Sequence, residues 1–80
     1  MNRKANGAAI RSIRMALGIP QNHLAVRVGI TAPSMSQIEK GKQPGPDTIK
    51  RIADELGVPL DAISYPVPDE AVREPEGLAS

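Results

Sequence analysis

Apolar side chains recur every three or four residues through most of this chain, the spacing of helices that bury one face. Ile10, Ile13 and Leu17 predict a first helix over 8–17, ended by Gly18. Leu24, Ala25 and Val28 predict a second over 21–28, ended by Gly29, after which Ile30 is placed to plug the core. Thr31 is the N-cap candidate of a third, with Pro33 in its first turn, where a missing N–H costs nothing. That helix buries Met35 and Ile38, runs to Lys40 and stops at Gly41. Ile49, Ile52, Ala53 and Leu56 form the stripe of a fourth, beginning at Asp47 or Thr48 and closed by Gly57. Leu60 and Ile63 mark a short fifth over 59–64, started by proline. The loop KQPGP, with two prolines and a glycine, separates the third helix from the fourth.

The ends break this period. Residues 1–7 carry Arg3 and Lys4 on no apolar stripe and predict a mobile basic arm. From 65 to 80, three prolines and five charges accompany too few large apolar residues to offset ordering entropy, which predicts a disordered acidic tail. The expected organisation is therefore one domain over 8–64 between two unstructured ends. Its fold class is all-α, a compact five-helix bundle around a central helix-turn-helix.

Composition narrows the function. The 80 residues include no Phe, no Trp and a single tyrosine, Tyr65, so the platform on which single-stranded binders stack bases is missing. No cysteine and one histidine, His23, leave no disulfide and no metal site, and no catalytic constellation of nucleophile and base is visible. His23 reads as an exposed helix residue. No cofactor and no small-molecule substrate are implied, and the expectation is that the chain is not an enzyme. The apolar stretches are too short for a membrane span and the N-terminus has no signal-type apolar core, so a cytoplasmic location is expected.

Charge is unevenly placed. Residues 1–51 hold nine Lys/Arg against Glu39 and Asp47, a net +7, and residues 52–80 hold Arg73 against seven acids, a net −6. A polyanion is drawn to the first part and repelled by the second, although two ordinary solvated faces give the same count.

The segment QNHLAVRVGITAPSMSQIEKG, residues 21–41, carries a resemblance. Leu24-Ala25, Gly29-Ile30-Thr31, Ser36-Gln37-Ile38-Glu39, Gly41-Lys42 and Leu56-Gly57-Val58 sit where frequent motif residues sit in the phage repressor and Cro family of helix-turn-helix domains, the XRE-like class. Over residues 10–64 the chain is similar to that family, which implies five short helices with the third, the recognition helix, entering the DNA major groove. Within it, Gln37 is the main base-reading candidate, because an amide both donates and accepts and so can pair bidentately with adenine. Ser36 can reach a base, a phosphate or its own helix carbonyl. Ala32 and Pro33 stand where the family often has polar readers; they can touch thymine methyl groups but supply no hydrogen-bond discrimination.

For phosphate contact the resemblance implies Gln21 before the turn and Lys40, Lys42 and Gln43 after the recognition helix, with Ser34 a capping or phosphate residue. Pro20 replaces the usual Ser or Thr cap of the second helix. The resemblance also implies that Glu39, otherwise an odd acid on a basic surface, forms a structural ion pair with Arg14. The function expected from all this is sequence-specific binding of double-stranded DNA by a phage or prokaryotic transcriptional repressor. A weak homodimer, contacting near Val58, Pro59, Leu60 and the start of the tail, would be completed on a two-fold operator. Two alternatives stay open: the autoregulating antitoxin of a toxin-antitoxin pair, and a protein-interaction module on the same scaffold.

Overall fold

A computed structural model describes residues 2–67 of the chain. Five helices follow the apolar stripes closely: α1 (Gly7–Ala16), α2 (Gln21–Val28), α3 (Ala32–Glu39), α4 (Pro46–Leu56) and the single turn α5 (Leu60–Ile63). Two short strands, β1 (Asn2–Ala5) and β2 (Ser64–Val67), bracket them. The core joins all five helices: Ile10 from α1, Leu24 and Val28 from α2, Met35 from α3, Ile49 and Ile52 from α4 and Ile63 from α5 are all fully buried. Aliphatic side chains and one methionine fill that space without any aromatic ring.

The glycines end helices by one mechanism. After α2, Ile30 N–H donates to the Ala25 carbonyl at 2.9 Å and Gly29 N–H to that of Val26 at 3.1 Å, the paired bonds of a Schellman motif. Such a motif needs a left-handed residue, and Gly29 has φ 90°. The same pair of bonds closes α1, α3 and α4. At the end of α1 this turn displaces one expected core residue: Leu17 becomes the C-cap and is 54% exposed, while Ile19, beyond the turn, packs against the core in its place.

The N-terminal residues are not a free arm. β1 pairs antiparallel with β2, Asn2 opposite Val67 through Ala5 opposite Ser64. The described fold is thus mostly helical with a small two-stranded sheet that the all-α expectation did not include, and its strands bring residues 2–5 and 65–67 into paired structure. Arg3, expected to be mobile, donates from Nε to Ser64 Oγ at 3.0 Å and forms an ion pair with Asp61; Lys4 stays exposed. Tyr65, Pro66 and Val67, expected in the tail, are β2. The rest of the expected tail, residues 68–80, lies outside the described residues.

Pro66 fits β2 because of the register. The Asn6 N–H donates to the Ile63 carbonyl at 2.8 Å, so by antiparallel alternation Lys4 and Tyr65 face each other through their backbone groups, while those of Ala5, Ser64 and Pro66 point to the outer edges. A proline there removes an N–H that has no ladder partner.

Candidate nucleic-acid interface

α3 is held at its N-terminus and along its inner face. Its N-terminus is capped by Thr31, whose Oγ1 accepts from Ser34 N–H at 3.2 Å and donates to Ser34 Oγ at 3.0 Å. Its inner face buries Met35, Ile38 and Glu39. Pro33, Gln37 and Lys40 are left exposed, and Ala32, Ser34 and Ser36 half-buried.

Glu39 is the only charged residue on the buried side of α3. Arg14 of α1 donates to it through Nε at 2.7 Å and Nη2 at 3.1 Å, and through Nη1 to the Ile19 carbonyl at 2.9 Å. Side-chain exposure is 11% for Arg14 and 3% for Glu39. Gln21 at the start of α2 adds a third donor, Nε2 to Glu39 Oε1 at 3.1 Å. One carboxylate therefore ties α1, α2 and α3 together, and no buried side-chain nitrogen or oxygen among the described residues lacks a partner. The electrostatic result is that the one acid of α3 is neutralised inside the domain, leaving Lys40 and Lys42 as the charges at the helix exit.

The other expected contacts are placed as follows. Arg11, Ser36 and Lys40 border a cleft whose floor is the Arg14–Glu39–Gln21 cluster. Pro20 precedes α2 with extended backbone and no side-chain cap bond, so the N-cap side chain supplies no partner to the amides of the first turn, which begins at Gln21 beside this cleft. Lys42 Nζ donates to Gln37 Oε1 at 3.3 Å, across the outer end of α3. Gln43 differs from the rest: both ends of its amide are engaged by Ala5 of β1. Sequence patterns did not point to that engagement, to the Gln21–Glu39 bond, or to the contact between Gly7 and α3 described below.

No helix among the described residues is long and apolar enough to cross a membrane, and no group of three or more His, Cys, Asp or Glu gathers at metal-binding distance among them.

Comparison with known proteins agrees with this geometry. The chain is 36% identical over 61 residues to the HTH-type transcriptional repressor RghR of Bacillus subtilis, covering 74% of this chain and 45% of that protein. It is 42% identical over 57 residues to the uncharacterized HTH-type transcriptional regulator RghRB of the same organism, covering 69% of this chain and 41% of that protein. The chain thus spans less than half the length of either relative. A helix-turn-helix family model matches residues 10–63, from the first buried isoleucine of α1 to the last of α5. With most of its length matched and the capped α2–turn–α3 unit in place, the chain belongs to the helix-turn-helix family.

Proposed function

We propose that this chain is a sequence-specific double-stranded DNA-binding regulator of transcription, acting as a repressor by occupying its site. The observation that carries the proposal is the outer face of α3: Pro33, Gln37 and Lys40 exposed, Ser36 beside them, and the helix's single acid withdrawn into a buried pair with Arg14. A helix so presented fits the major groove, where an amide can recognise a base edge. The relatives, a transcriptional repressor and a transcriptional regulator by name, support the same reading.

In this reading Gln37, with Ser36, Ala32 and Pro33, meets the bases. Lys40, Lys42, Ser34 and the α2 start at Gln21 meet phosphates, the last through main-chain amides because the Gln21 side chain already donates to Glu39. One amide reader and two apolar neighbours specify few bases, so the operator is two-fold symmetric. Two copies place their α3 helices one DNA turn, roughly 34 Å, apart. The pairing surface is the region of Val58, Pro59 and Leu60, and association is weak until DNA is bound.

The test is a gel shift with random genomic fragments at low and high salt. Salt-sensitive binding with a preferred fragment supports the proposal; no binding at any salt refutes it and favours a protein-interaction module. Sedimentation of the complex with the preferred fragment, two chains per operator against one, tests the symmetry.

A further inference from the structure

The N-terminal segment touches the exit of α3 twice. Gly7 opens α1 hard against the end of α3: a Cβ at this position would stand 2.4 Å from the Ile38 carbonyl oxygen and 2.7 Å from that of Glu39. A few residues on, Gln43 Oε1 accepts from Ala5 N–H at 2.7 Å while Gln43 Nε2 donates to the Ala5 carbonyl at 3.2 Å. A side-chain amide offers donor and acceptor side by side as a peptide group does. Gln43 therefore pairs with the outer edge of β1 as a one-residue third strand. Ala5 itself is buried, 4% exposed, and its backbone groups point away from β2, so without Gln43 they would have no partner in the sheet.

Between the two contacts lie Lys40, Gly41 and Lys42. Their backbone closes α3, with Lys42 N–H donating to the Gln37 carbonyl at 2.9 Å, and the Lys42 side chain reaches back to the Gln37 amide. The stretch that presents both the base-reading candidate and its neighbouring cation is therefore fixed at one end by Gly7 and at the other by Gln43.

We infer that Gln43 is a positioning residue for DNA recognition: by pairing with Ala5 it locks the exit of α3 to the N-terminal strand, so the seat of the recognition helix depends on β1. This rests on the DNA-binding reading above and replaces, for Gln43, the phosphate contact implied by resemblance. β1 in turn is paired to β2, so β2 is joined through two layers of hydrogen bonds to the end of α3.

The deciding experiment compares Gln43→Met, which keeps side-chain length and loses both hydrogen bonds, with Ala5→Pro, which removes the same N–H from the other side, and with the double variant. Each is measured against the preferred operator and an unrelated duplex, with thermal melts alongside. The expected result is a fall of roughly tenfold in the operator-to-unrelated affinity ratio for Gln43→Met, with no further fall in the double variant. Equal loss on both duplexes overturns the inference, because it makes Gln43 a phosphate contact. A lower melting temperature with an unchanged ratio overturns it as well, because it makes the clamp a matter of stability alone. Amide hydrogen exchange without DNA tests the mechanical half on Gln43→Met by itself. Faster exchange at Ala5, Gly41 and Lys42 is expected, and unchanged protection at Lys42 overturns the inference whatever the chain binds. Failure of the wild-type chain to bind any duplex is a different result, and refutes the functional reading.

Discussion

Arg14 grips Glu39 with two near-parallel hydrogen bonds, at 2.7 and 3.1 Å, and both side chains are almost out of water. In such a place the two charges depend on each other: removing one leaves the other buried and unpaired. Glu39→Ala should cost about 3 to 5 kcal/mol, which for a domain of this size approaches the whole net stability of about 3 to 5 kcal/mol. Gln21 loses its acceptor at the same time, so Glu39→Gln, which keeps an acceptor, should be milder. Urea titrations of the two single alanine variants and the double variant measure the coupling, and a value of zero would mean that the pair contributes nothing as a pair.

Gly7→Ala isolates the close approach of α1 to α3. Inside a helix that exchange ordinarily stabilises by about 1 kcal/mol. Here the new methyl meets two backbone carbonyl oxygens below 3.0 Å, atoms that move only if a helix moves. We expect a net loss of about 1 to 3 kcal/mol, read from denaturant midpoints. A gain in stability would show that α1 can slide away from α3 freely.

If Lys42 meets a phosphate, Lys42→Ala should weaken operator and unrelated duplex by the same factor and lower the slope of log affinity against log salt by about 1. For two chains on one operator, as proposed, about 6 to 10 phosphate contacts imply a loss of about 10³-fold or more between 50 and 200 mM salt. Titrations at four salt concentrations decide both points. A flat profile removes the phosphate account.

Gln37→Ala should relax the base preference at one position of each half-site, at about 1 to 3 kcal/mol there, while affinity for unrelated duplex hardly changes. Selection from a random DNA pool with wild-type and variant chains is the measurement. Identical preferences would leave Gln37 a bystander.

The helices and the turn were legible because each leaves a repeated mark. Ile49, Ile52, Ala53 and Leu56 cannot share a face except on a helix, and the glycines at 18, 29, 41 and 57 each end one with the same two bonds. Leu17 was misplaced because a stripe count continues through a cap, whereas the chain turns at Gly18 and hands the core position to Ile19. The strands left almost no mark. Each has four residues, and in β1 only Ala5 is apolar; their pairing joins residues some sixty positions apart, which no local period encodes. The pairing of Gln43 with Ala5 left no mark for a related reason: an amide after α3 suits many partners equally well, and only the unexpected strand beside it shows which one it bonds. The buried ion pair was within reach because a lone acid in the basic part of the chain needs a partner, and the family resemblance pointed to Arg14 on the first helix as that partner.

Tyr65 is the chain's only tyrosine, in a sequence without tryptophan or phenylalanine, and it sits in β2 opposite Lys4. Every near-ultraviolet signal of this protein therefore originates in the seam between β1 and β2, while far-ultraviolet dichroism is dominated by the helices. An observer who heats the protein and records both watches two different places: a tyrosine transition that precedes the helical one is the seam opening over an intact core, and coincident transitions mean that the two strands part only when the whole domain does.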